Sequence, residues 1–205
     1  MTEPKQRRAL SSLEPPSKRE AFVAGAQGLA DTLFEALVTA AETESDTLTH
    51  GFHTYPARLH AGVAGTLIDA LVRDGRAGHV VDPFCGSGTV LIEAQRRGVS
   101  SLGIDVNPIA LRVARVKCDV RTNASIDAFL KRLDVVVEKS KERVRARAPG
   151  RAPVSPAMVK KFEGHVLREL AGLLEEIRRV DDEKDRNALE VVLSAIIVKV
   201  SKQRA

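Results

Sequence analysis

The stretch Asp82-Pro-Phe-Cys-Gly-Ser-Gly-Thr-Val-Leu-Ile-Glu-Ala94, with Ser101-Leu-Gly-Ile-Asp-Val-Asn-Pro-Ile-Ala110 after it, decides the reading of this chain. Residues 79–84 (HVVDPF) read as a short buried strand, and CGSGT at 85–89 is a glycine-rich turn. VLIEAQRRG has helical spacing, with Gly98 placed to close the helix. SLGIDV (101–106) is a second apolar run, and the next helix starts at Asn107-Pro108, because proline is favoured in a first helical turn. Strand, turn, helix, strand and helix in this order predict a parallel sheet with right-handed crossovers.

Glycines at 86 and 88 let the backbone pass close to a ligand, and the helix behind them offers free N–H groups. Asp82 ends the first run, where a carboxylate can accept from a ligand's amino or hydroxyl groups. Asp105 ends the second, placed to accept from a ribose diol as acidic residues do in nucleotide folds. The turn is not a phosphate loop, since no Gly-Lys-Ser/Thr follows it. It is not the dinucleotide fingerprint either, since the third glycine is absent. A plain strand-to-helix turn would also use glycine; the two flanking aspartates argue against so bland a role.

Outward from this centre, residues 61–74 return to helical period through Val63, Leu67, Ile68 and Leu71, and 44–60 read as a loop in which Pro56 biases Tyr55 to extended geometry. Residues 20–43 predict a helix, preceded by a polar, proline-bearing arm. Lys117–Arg121 is a weak third strand. Helices are expected over 125–147, 157–179 and 183–203, with a Pro/Gly break at 148–156. The last helix has Leu189, Leu193, Ile196 and Val200 spaced to bury one face. This divides the chain into an arm and helix (1–49), a ligand-binding βαβ core (50–120) and a helical subdomain (121–205).

The 205 residues carry 32 Lys+Arg against 27 Asp+Glu, a net charge of +5, which permits a polyanionic partner without demanding one. Two cysteines make no disulfide framework, and aromatic residues are only 3%, too few for a base-stacking platform. No apolar run is long enough to cross a bilayer and the N-terminus has no secretory pattern, so a cytoplasmic protein is expected. His50, His53 and His60 cluster in sequence but lack a third Cys or acidic ligand at set spacing, so no metal is expected. The basic run 139–151 reads first as a solvated helix face ending in a linker, with phosphate contact as the alternative.

DPFCGSGTVLIEA with GIDVNPIA closely resembles the S-adenosylmethionine (SAM) binding half of class I methyltransferases, above all the DNA methyltransferases that modify adenine N6 or cytosine N4. HGFHTYPARLHAGVAGTLI (50–68) resembles the segment that covers the methionine end of the cofactor there, and LSAIIVKVSKQ resembles a helical insert of one subgroup. The resemblance implies an incomplete Rossmann-like α/β sheet with a helical N-terminal arm and a C-terminal helical insert. It implies SAM as cofactor and DNA as substrate. By position, the Gly86, Ser87, Gly88, Thr89 turn would wrap the methionine part, with Pro83, Phe84 and Cys85 in the same segment. Asp82 would take the amino group, Asp105 the ribose, and Val106, Asn107 and Pro108 the adenine. Tyr55, Pro56 and Ala57 would close over the methionine end. Cys85 is then a packing residue, since amino methylation needs no thiol nucleophile.

One family element is missing. A [DNS]-P-P-[YFW] tetrapeptide holds the target amino group and stacks on a flipped base in these enzymes. The only Pro-Pro here, Glu14-Pro15-Pro16-Ser17, has no aromatic residue and lies in the polar arm. No catalytic residue is therefore assigned, and the chain reads as a cofactor-binding half that needs a partner chain or a missing C-terminal half. Three other readings stay open: an RNA guanine-N2 methyltransferase, whose turn is similar; a non-catalytic SAM-binding subunit; and an inactive remnant.

Overall fold

The computed structural model describes residues 27–42, 44, 46–53, 55–56, 58–76, 78–148, 150 and 156–201. The arm, the Glu14–Ser17 segment and Ala57 lie outside them. Helix α1 (Gln27–Glu42) packs on α2 (Ala61–Arg73), and a single 3-10 turn, His50–Phe52, lies between them in sequence. Strand β1 (His79–Asp82), α3 (Thr89–Arg96), β2 (Ser100–Gly103) and α4 (Pro108–Lys117) follow in the expected order, but the strands end at 82 and 103, short of 84 and 106, and β1 is not buried, since Val81 is half exposed. The strands are parallel, with Val81 opposite Leu102 and Asp82 opposite Gly103. Their pairing runs on past the strand ends, because the Ile104 amide donates to Asp82 O at 2.9 Å and the Cys85 amide to Ile104 O at 2.9 Å. The fold is thus mixed α/β, with a small two-stranded parallel sheet among the described residues.

The helix ends follow their local chemistry. The His60 imidazole accepts from Gly62 N to cap α2, Asn107 Oδ1 accepts from Ile109 N (3.0 Å) to cap α4, and Thr122 caps α5 (Asn123–Arg145). The weak strand at 117–121 does not form. Lys117 is still helical, and Arg121 is drawn off by Asp119 (2.7 Å) and Asp185 (2.5 Å), which leaves no run free to pair.

Two further expectations change. The helix expected over 157–179 is two, α6 (Pro156–Lys161) and α7 (Gly164–Arg178). The chain turns where Phe162 is driven into the interior and Glu163 goes extended, just before a glycine of poor helix propensity. Helix α8 (Glu183–Lys199) buries more than one face, since Ala188 and Val191 are buried as well as Leu189 and Leu193. It packs against α7 and also against α4. Ile196 and Val200, placed on the buried stripe by their spacing, are more than a third exposed. Val136, Ile177, Leu189 and Leu193 form a common core of α5, α7 and α8.

Candidate cofactor site

The glycine turn is shaped by Asp105. One carboxylate oxygen accepts from Gly86 N at 2.9 Å and the other from Asn107 N at 2.8 Å, so a single side chain fixes both the turn after β1 and the start of α4. Each oxygen keeps a further lone pair. Asp82 Oδ1 accepts from Phe84 N at 3.1 Å and holds the first bend. Gly86 and Gly88 both take positive φ, +49° and +86°. A β-carbon on Gly86 would lie 3.5 Å from the Tyr55 ring, and one on Gly88 would press on Ala114 of α4 at 3.1 Å. The turn is thus clasped between Tyr55 on one side and α4 on the other.

Tyr55 comes from the loop that precedes α2, and its hydroxyl accepts from Asn107 Nδ2 at 3.1 Å. That bond brings together residues 52 positions apart. Tyr55, Asp105, Gly86 and Asn107 therefore converge. Phe84 and Val106 are 85% and 99% exposed, so two apolar side chains stand open beside the turn. Pro56 and Pro83 are exposed, while Thr89 is buried in the first turn of α3. Cys85 is buried, and burial, helped by Asp82 and Asp105, pushes its thiol up, so it packs as a neutral group.

Sequence reading missed the layer beneath the turn. The His50 ring, 1% exposed, meets Glu93 Oε1 of α3 at 2.8 Å. Glu93 Oε2 also takes Arg97 NH1 at 2.5 Å, and Arg97 reaches Asp69 of α2 through Nε at 2.6 Å. Lys117 Nζ donates to His50 O at 3.0 Å and lies 3.5 Å from Ser87 Oγ. Apart from the i,i+4 pair Glu93–Arg97, these contacts join residues 28 to 67 positions apart and leave no local period to read. The three loop histidines do not converge: His50 faces Glu93, His53 meets Ser194 of α8 at 3.2 Å, and His60 caps α2.

Residues 52–152 match the family model of the RMKL-like methyltransferase domain. The chain is 27% identical over 129 residues to the type II methyltransferase M.MjaII of Methanocaldococcus jannaschii, covering 53% of this chain and 23% of that protein. It is 33% identical over 76 residues to the type II methyltransferase M.MvaI of Kocuria varians, covering 37% of this chain and 17% of that protein. The chain thus spans less than a quarter of the length of these curated relatives. No solved structure matches it. The matched segment contains the clasped glycine turn, and over it the chain is similar to methyltransferases.

Proposed function

We propose that the 82–107 turn binds SAM and that the chain is the cofactor-binding portion of an enzyme that methylates an exocyclic amino nitrogen of DNA, adenine N6 or cytosine N4. The observation that carries this reading is the Asp105 carboxylate, which braces Gly86 and Asn107 with one bond each and keeps acceptor capacity on both oxygens. That suits a ribose diol. The exposed Val106 and Phe84 side chains suit a planar apolar base, and Tyr55 on Gly86 suits a cover for the amino-acid end. The printed names of the relatives, both type II methyltransferases, support the methyl-transfer class. The Tyr-Pro-Ala-Arg segment favours DNA over RNA.

Bound SAM supplies an electrophilic methyl group on a sulfonium. The residues of this chain would then bind and orient it: Asp105 would hold the sugar, Asp82 the amino group, and the Gly86–Thr89 turn would wrap the methionine part. No covalent protein intermediate is needed, in keeping with the raised Cys85 thiol. The groups that hold the base belong to a [DNS]-P-P-[YFW] motif that this sequence lacks, so they are proposed to come from a partner chain or a further segment. The half-exposed Val81, Leu102 and Ile104 support that, since they leave one sheet face uncovered. On this reading the division at residues 49 and 120 separates the cofactor core from its helical neighbours, and the sheet is part of a larger Rossmann-like one.

Calorimetric titration with SAM tests the reading: binding is expected, and absence of heat and of thermal stabilisation overturns it. A radiolabelled methyl-transfer assay with DNA and tRNA side by side is expected to give no product with either. Methylated DNA would refute the missing catalytic half, and methylated tRNA would favour the RNA guanine reading.

A further inference from the structure

Lys117 is 4% exposed and lies beneath the glycine turn, at the last residue of α4. Its ammonium donates to the His50 carbonyl at 3.0 Å and approaches the Ser87 hydroxyl, itself 2% exposed, at 3.5 Å. Its own carbonyl accepts from Thr49 Oγ1 at 2.9 Å. Lys117 is therefore bonded through both side chain and backbone to the 49–50 segment, which leads within five residues to Tyr55. Arg58 NH1 also donates to the His50 carbonyl, at 2.6 Å. Arg58, however, belongs to the same loop, where it also reaches Asp46. Lys117 is the cation that ties this carbonyl to α4 and the turn.

We propose that Lys117 is a positioning residue for the cofactor site: its ammonium fastens the backbone of the loop that carries Tyr55 to the underside of the glycine turn. This rests on the SAM-binding reading only for its consequence, since the tie itself is a property of the chain. With the tie in place, the loop enters at a fixed height over Gly86 and the Tyr55 hydroxyl meets Asn107. Without it, the His50 ring on Glu93 and the Arg58 bond remain, so the loop loosens and does not detach.

Energetics argue the same way. Burial, with the nearby Arg58 charge, brings the Lys117 ammonium down from the usual 10.5 to about 8. A cation whose pKa falls on folding destabilises the fold while it is charged; that penalty is complete below about 8 and relaxes as pH rises towards 10.5. A residue kept at the expense of stability is expected to serve positioning. The other charged or titratable groups facing it are Asp46, His50 and Arg58 from the loop, Glu93 of α3 beyond the His50 ring, Cys118 beside it and Cys85 in the turn. Burial raises the Cys118 and Cys85 thiols, so they stay neutral while Lys117 loses its proton.

Tyr55 is the only tyrosine and the chain has no tryptophan, so Tyr55 fluorescence reports the loop directly. Acrylamide quenching of the full chain without cofactor is expected to rise between pH 7 and 9, below the range where a phenol ionises near pH 10. In Lys117→Met it is expected to be high and flat across that window, with the melting temperature equal to or above that of the parent at pH 7. SAM affinity at pH 7 is expected to fall roughly three- to tenfold in the variant, as for loss of one partly redundant charge-assisted hydrogen bond. Parent quenching that stays flat from pH 7 to 9 overturns the proposal, and so does a variant matching the parent in both quenching and affinity. If the variant does not fold, the pH course of the parent alone decides. A parent that shows the quenching step but binds no SAM refutes the cofactor reading and leaves the tie standing.

Discussion

Strands β1 and β2 leave Val81 and Leu102 about half exposed, whereas α5, α7 and α8 drive Val136, Ile177, Leu189 and Leu193 almost completely out of water. The helical region has closed its own core. The α/β region has not, yet it holds the more elaborate polar architecture: Asp105 on two amides, Tyr55 on Asn107, and the buried His50–Glu93 and Lys117–His50 contacts. The contrast teaches that completeness of packing and density of chemistry are separate properties.

The contrast breaks most clearly under truncation. Leu189→Ala opens a cavity in a filled core and is expected to destabilise by about 2–5 kcal/mol. Leu102→Ala removes a side chain that already meets solvent, and should lose less than about 1 kcal/mol, a fraction of the value of full burial. Urea midpoints measured together decide this. Equal losses would mean that the sheet face is covered in solution, which would sharpen the case for self-association through it.

Asp105→Ala probes the opposite property. It removes the acceptor shared by Gly86 N and Asn107 N, so SAM binding is expected to weaken by about 1–3 kcal/mol, the range for leaving polar partners unmade. A titration curve unchanged from the parent would place the ribose elsewhere. The helical region offers no counterpart, because its carboxylates at Glu176 and Asp185 are already engaged by Arg143 and by Arg121 and Arg132.

The α/β order was legible because its signals are local. Two short apolar runs, two glycines that must take positive φ and two aspartates near the ends of the runs sit within 28 residues of chain, 79–106. Placing Tyr55 near the turn rested on resemblance alone, and its bond to Asn107 spans the α2–β1–α3–β2 unit, where no periodicity reaches. Lys117 was read as the start of a weak strand. In the structure it is the last residue of α4, with its ammonium on the His50 carbonyl. The unbroken helix expected over 157–179 failed for a related reason: helical spacing cannot weigh Phe162, whose burial against the rest of the molecule turns the chain.

The smallest effect tests whether charge on the surface of the α/β region matters to it. Arg97 ends α3 and grips Asp69 of α2 with two bonds, at 2.6 and 2.7 Å, while a third reaches Glu93. Asp69 is half exposed, so the pair is screened and Asp69→Asn should lose at most about 1 kcal/mol at pH 7. The Arg97 hydrogen bonds hold the Asp69 carboxyl below its ordinary 3.8. A carboxyl lowered on folding adds stability above that ordinary value and loses it as pH falls through the folded one. The gap between parent and variant should therefore be constant from pH 7 to about 5 and narrow as pH falls below 3.8. A gap that does not narrow below that value would mean that Asp69 supports α2 by packing and not by charge.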